Sequence, residues 1–172
     1  MAHPLLVNVV DLVRRPGSER QLSTSCTFAE LDVTDQRFVA TDEVRVELRL
    51  DSLSDGIVVD GTLVVPWHGT CRRCLNDAHG ELECEVHELY QHTVTDPEAF
   101  EMQGDQLDLR PMVREVVLLD APLTPVCRDD CAGLCPTCGV DRNEVTCDCT
   151  HIRTDPRWDA LSDLHGQFPS SD

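Results

Sequence analysis

The residues able to do chemistry are cysteines, and most of them come in close pairs. Of 10 cysteines, only Cys26 and Cys84 stand outside the pairs Cys71/Cys74, Cys127/Cys131, Cys135/Cys138 and Cys147/Cys149. Cys135-Pro-Thr-Cys138-Gly139 has the form of a zinc knuckle. Thiolates at that spacing reach one tetrahedral ion, and the glycine lets the backbone turn tightly behind the second sulfur. Four pairs make two tetrahedral sites. The segment 139–146 is short enough to fold as a hairpin, so that Cys135, Cys138, Cys147 and Cys149 meet at one ion. Cys71, Cys74, Cys127 and Cys131 would then form the other, a long-range crosslink in a small domain. An interleaved arrangement, with Cys127, Cys131, Cys135 and Cys138 on one ion, stays open from spacing alone. The expected cofactor is zinc, as two structural ions.

Two other chemistries use the same residues. A thioredoxin-like redox pair at Cys71/Cys74 needs a helix N-terminus behind the first cysteine to lower its pKa. The pattern there predicts a hairpin turn instead, with Arg72 and Arg73 between the thiols. Iron fits a four-thiolate site, but such sites are usually wrapped in aromatics, and the chain is 4% aromatic. His68, His79 and His151 lie close to cysteine pairs and read as surface or outer residues, with His151 the best substitute ligand. Cys26, without a neighbouring thiol, reads as a small buried residue. Closed tetrathiolate sites leave no open coordination position. The sequence holds no phosphate loop, no catalytic triad and no carboxylate constellation, so the expectation is a protein that is not an enzyme.

The elements that must position these pairs are mostly strands. Leu5 to Val10 predicts a short strand, followed by a helical turn that Pro16-Gly17 ends. Arg20 to Phe28 predicts a second strand. Val44, Val46, Leu48 and Leu50 alternate with Arg45, Glu47 and Arg49, the period of a half-buried strand. Ile57 to Trp67 and His79 to Tyr90 follow it in an antiparallel meander, with Cys71-Arg-Arg-Cys74 at the turn between them. Thr93 to Gln106, acidic and polar, reads as a mobile loop. Asp108 is placed as the cap of a helix running to Leu119, with Pro111 in its first turn. Leu109, Met112, Val113, Val116 and Val117 recur at helical spacing and are expected to cover the sheet. Asp155-Pro156 opens a short helix carrying Trp158, Leu161 and Leu164, and a polar tail follows Gly166. The expected fold is α+β: an antiparallel sheet or partly closed barrel with a covering helix and a C-terminal zinc-binding segment. Residues 1–124 form the sheet domain and 125–172 the cysteine-rich segment, packed as one unit.

Charge bounds the partners. The 172 residues carry 14 basic and 32 acidic side chains, a net charge of -18. All of the basic ones are arginine, which reads as coding bias. Such a chain repels a phosphate backbone and lacks the basic stripe of a direct nucleic-acid binder. A basic protein is the better partner. Residues 1–11 lack a basic leader region, no stretch is long enough to span a membrane, and clustered thiols suit a reducing compartment. The expected location is the cytoplasm.

With these residues in view, the chain resembles the YceD family, the large ribosomal RNA subunit accumulation proteins of bacteria and plastids. The resemblance rests on Cys71-Arg-Arg-Cys74-Leu75, on Leu107-Asp-Leu with the helix running to Leu123, and on Cys131-Ala-Gly-Leu-Cys-Pro-Thr-Cys-Gly139. Asn143, Cys147-Asp-Cys149 and Asp155-Pro-Arg157 with Leu161 and Leu164 complete it. It is similar to the cysteine-rich form of that family. The resemblance implies a role in accumulation or maturation of large-subunit ribosomal RNA, and so in ribosome assembly, with a ribosomal protein or assembly factor as partner. Two other readings are carried: a direct RNA-binding zinc protein using Arg128, Arg142 and Arg153, and a thiol-redox or iron electron-transfer protein.

Overall fold

Alternating apolar residues build an open sheet whose longest hairpin carries a cysteine pair at its tip. The structure, a computed structural model, describes residues 3–149 and residue 157. The chain runs β1 (Leu6–Asn8), α1 (Val10–Val13), β2 (Glu19–Thr27), β3 (Glu43–Ser52), β4 (Gly56–Thr70), β5 (Asp77–Gln91), β6 (Phe100–Glu101), β7 (Gln106–Asp108) and α2 (Arg110–Asp120). Strands β2 to β6 form a five-stranded sheet in sequence order, and β1 pairs with β7 in a second, two-stranded sheet. The β2–β3–β4–β5 pairings are antiparallel, while β6 joins β5 in parallel. β2 and β6 stay at the edges, so among the described residues the sheet does not close into a barrel.

The period-two pattern decides which face is buried. Val44, Val46, Leu48 and Leu50 of β3 are 0–1% exposed, and Arg45, Glu47 and Arg49 between them point to solvent. The same alternation runs through β5, where Cys84 and Val86 are buried and Glu81, Glu83 and Glu85 are exposed. Onto the inner face come Leu5 and Val9 from the N-terminus, Leu12 of α1, Leu107 of β7, and Leu109, Met112, Val113 and Val117 around α2. These share one aliphatic core with the strand residues.

Two local expectations change and a third is narrowed. The segment Thr93 to Gln106, read as a mobile loop, contains β6 and the start of β7. Phe100 stacks on the buried Tyr90 at 5.1 Å between ring centroids, and Gln91 Oε1 accepts hydrogen bonds from the backbone of Thr95 and Asp96. Asp108 is not the helix cap. Leu109 occupies that position without a side-chain bond, because its buried side chain anchors the helix entry. The Asp108 carboxylate instead receives the Arg110 backbone N–H at 3.1 Å and its guanidinium at 2.8 and 2.6 Å. Of the two expected forms, antiparallel sheet or partly closed barrel, the described residues form an open sheet, with β6 added in parallel and β2 and β6 at its edges. The C-terminal helix with Trp158, Leu161 and Leu164, and His151 and Arg153, lie outside the described residues.

Arg37 binds the loop after β2 to the end of α2. Its guanidinium donates to both Asp35 carboxylate oxygens, at 2.9 and 2.8 Å, and to the Ala121 carbonyl at 2.9 Å. The Arg37 hydrogen bonds hold the Asp35 carboxyl down at about 2. This fixes where α2 ends, and the chain leaves α2 directly for the cysteine-rich segment.

Candidate metal centres

Each paired cysteine joins one of two groups. Cys71, Cys74, Cys127 and Cys131 converge, as do Cys135, Cys138, Cys147 and Cys149, with the four sulfurs of each group within 4.8 Å of one another. The hairpin arrangement is therefore the one the fold builds, and the interleaved set is not assembled.

The two knuckles are local copies of one turn. In the first, the Leu75 backbone N–H donates to the Cys71 carbonyl at 2.9 Å; in the second, the Gly139 N–H donates to the Cys135 carbonyl at 2.9 Å. The Arg73 and Thr137 N–H groups each point at the sulfur two residues back, both at 3.4 Å. This turn needs a left-handed residue behind its second cysteine. Gly139 supplies it at φ 77°, while Leu75 takes φ 64° with a side chain 63% exposed. A non-glycine residue there is strained.

The first centre sits at the tip of the β4–β5 hairpin. Arg72 N–H bonds the Pro125 carbonyl at 2.9 Å, bringing the segment after α2 alongside. The Arg73 guanidinium reaches across to the carbonyls of Asp129 at 2.8 Å and Cys131 at 3.2 Å. Cys71, Cys74 and Cys131 are 0%, 3% and 5% exposed, packed with Ala78 and flanked by Trp67 and Val126. The second centre is more open. Cys135 is buried at 2%, Cys147 and Cys149 are half-buried, and Cys138 is exposed.

The donor sets fit a tetrahedral ion. Zn–S bonds of about 2.3 Å place neighbouring sulfurs of a tetrahedron about 3.8 Å apart. In the first centre Cys71 and Cys131 Sγ are 3.9 Å apart, and Cys74 and Cys127 Sγ 3.6 Å. These are not disulfide contacts, whose S–S bond is about 2.0 Å. The thiols differ in acidity within each group. The backbone N–H of Cys74 draws Cys71 down to about 6, and that of Cys138 does the same for Cys135, also to about 6. Burial pushes Cys127 up to about 12, and hydrogen bonding with the Cys138 side chain, then burial, does so for Cys149. Each group thus mixes an easily ionised thiol with a reluctant one, and a bound cation offsets the thiolate charge that such crowding opposes. The two centres could hold metal ions with all four positions filled by sulfur.

The unpaired cysteines behave as core. Burial raises Cys84 to about 12 and Cys26 to about 11. His68 and His79 are both exposed, and neither joins a cysteine group. What the pattern of pairs did not reveal is the polar lattice around them. The Asn143 side chain donates to Cys131 Sγ at 3.4 Å and accepts from Ala132 N–H and Arg128 Nη2 at 2.8 and 2.7 Å. Asn76 donates to the Asp141 carboxylate at 2.8 Å. Asparagine in a cysteine-rich turn was the only available signal, since its amide both donates and accepts.

A family model described as Large ribosomal RNA subunit accumulation protein YceD matches residues 59–165, a span that contains both cysteine groups. An uncharacterised protein of Mycobacterium tuberculosis is 33% identical over 100% of this chain and 86% of its own length. The Bacillus subtilis protein YlbN is 26% identical over 74% of each chain. A chloroplastic protein of Arabidopsis thaliana, Large ribosomal RNA subunit accumulation protein YCED homolog 1, is 29% identical over 40% of this chain and 22% of its own. No solved structure matches the chain.

Proposed function

The chain belongs to the YceD family of large ribosomal RNA subunit accumulation proteins, and from that premise we propose that it is a non-enzymatic factor for accumulation and maturation of large-subunit ribosomal RNA. Family membership is the observation that carries this reading. Zinc fills both cysteine centres and braces the scaffold; no coordination position is left for catalysis. The factor works in the cytoplasm and acts through a basic ribosomal protein or another assembly factor. Its net charge of -18 favours such a partner. The outward face of the sheet supports the same choice, presenting Glu43, Glu47, Glu81, Glu83 and Glu85. The arginines on that face are engaged by carboxylates: Arg45 by Glu81 at 3.1 Å, and Arg49 by Asp51 at 2.8 Å.

Direct RNA binding through the metal segment is the weaker reading. Arg73 is spent on the backbone carbonyls of Asp129 and Cys131, and Arg128 on Asn143 and Asp130. The test has two arms. Cells lacking the gene are expected to show a lowered ratio of large- to small-subunit ribosomal RNA. The tagged chain is expected to retain named ribosomal proteins or assembly factors at low salt and release them as salt rises. An unchanged rRNA ratio overturns the proposal, and retardation of bare rRNA fragments by the purified chain replaces the protein partner with RNA.

A further inference from the structure

One side chain from the loop between the second group's cysteine pairs is hydrogen-bonded to the first group. Asn143 lies in the 139–146 hairpin, whose ends carry the ligands of the second centre, yet its amide is spent on the first. Nδ2 donates to Cys131 Sγ at 3.4 Å, and Oδ1 takes the Ala132 N–H at 2.8 Å and Arg128 Nη2 at 2.7 Å. Asp141 steadies the residue from inside the same hairpin, accepting the Asn143 backbone N–H at 2.9 Å and its Nδ2 at 2.6 Å. The hairpin reaches the first knuckle through Asn76, which donates to the Asp141 carboxylate at 2.8 Å, and through residues 133–134: Arg142 N–H bonds the Gly133 carbonyl at 2.9 Å, and Leu134 N–H the Arg73 carbonyl at 2.9 Å. The approach is close. A side-chain carbon at Gly133, which has φ 68°, would lie 2.9 Å from the Arg73 carbonyl oxygen.

We propose that Asn143 is a positioning residue that couples the two centres, so that an ion in the second raises the affinity of the first for its own ion. The coupling rests on the metal-binding reading above. Hydrogen bonds rather than apolar packing hold the hairpin: Cys135 N–H bonds the Val140 carbonyl at 2.8 Å and Val145 N–H the Asp141 carbonyl at 2.9 Å, while Val145 is 53% exposed and no residue of 139–146 enters either apolar cluster. Closing four sulfurs on an ion fixes the hairpin ends, and that fixes Asn143 against Cys131. A donor on a coordinating thiolate stabilises its charge, and outer partners of this kind are worth about 10- to 100-fold in metal affinity. By linkage the effect runs equally in both directions.

Cobalt(II) titration of the full chain, in competition with a chelator, tests this. Disabling the second centre with Cys149→Ser is expected to weaken cobalt at the first by about tenfold or more. Asn143→Ala, with the second centre intact, is expected to do the same. The two changes together are no worse than either alone, because both remove one contact. With both centres loaded, Asn143→Ala should also move the sulfur-to-cobalt absorption to lower energy, a shift that mere loosening of the fold does not produce. Multiplying losses in the double variant, or an unmoved absorption band, overturns the coupling and leaves two independent sites. Should Asn143→Ala fail to fold, Asn143→Asp, which keeps the size but exchanges the sulfur donor for a negative oxygen, must weaken the first centre likewise. A wild-type chain that binds no cobalt overturns the metal reading itself and the coupling with it.

Discussion

Leu75 is held where glycine would be at ease. Its twin position in the second knuckle is Gly139, and both residues are left-handed, at φ 64° and 77°. A side chain in that region costs about 1–2 kcal/mol, against somewhat under 1 kcal/mol of extra unfolded-state freedom for glycine. Leu75→Gly is therefore expected to leave stability unchanged or raise it by up to about 1 kcal/mol, measured by denaturant unfolding of the metal-loaded chain. A loss of more than that would mean that the leucine side chain packs on something. Asp35 offers a pH test. Its folded pKa is lowered to about 2 by Arg37, so its contribution is fully present above the ordinary carboxylate value and lost as pH falls through about 2. Asp35→Asn should be less stable than the wild type at neutral pH, with the gap closing between about pH 4 and pH 2. At this scale the cysteine pairs were legible because their spacing is metal chemistry written out. The contacts of Asn143 and Arg73 were not, because nothing in a sequence says which backbone carbonyl or sulfur an amide or guanidinium will meet.

The long strands were legible, as was short β1 within Leu5 to Val10, but β6 and β7 were not. In β3, four apolar residues alternate with charges, and only one face can be buried; β4 and β5 follow suit. β6 spans Phe100–Glu101 and β7 spans Gln106–Asp108, too short for any period to show. What places β6 is a side-chain contact that no period encodes: Phe100 stacks on Tyr90 of the neighbouring β5. The start of α2 shifted for a related reason. Asp108 is a good cap by type, but Leu109 is drawn fully into the core and takes the capping position. The two cysteine groups differ in exposure, and for bound ions this predicts an order of release. The second centre includes exposed Cys138, while three of the first centre's four cysteines are at most 5% exposed. Challenged with excess chelator, the chain should lose its ions in two phases. The fast phase is expected to vanish in Cys149→Ser. A single phase in the wild type, or a fast phase that survives in the variant, would contradict the difference in access.

Across the whole molecule, the first centre joins parts of the chain that the sheet alone does not hold together. The β4–β5 hairpin tip and the segment after α2 meet there through four sulfurs, an arginine clamp and the Arg72–Pro125 bond. Elemental analysis of protein purified without chelator should find two zinc ions per chain, and one in Cys71→Ser. That variant should also unfold more readily, because three thiols remain crowded at a buried site without an ion. One zinc in both proteins would leave Cys71 and Cys74 as a free thiol pair and restore the redox reading. The sequence foretold this crosslink from the surplus of pairs once the hairpin was closed. Between an open sheet and a partly closed barrel the sequence left the choice open, since closure depends on strand tilt and shear, which no residue pattern states.

The clasp also orders events in time. Cys71 and Cys131 are 60 residues apart, and β1 pairs with β7 through Leu6 and Asp108. A chain emerging from its own ribosome can zip β2 to β5 early, each strand finding the one just made. Its first strand and its first knuckle must wait. Both find their partners only once β7 and Cys131 have been translated.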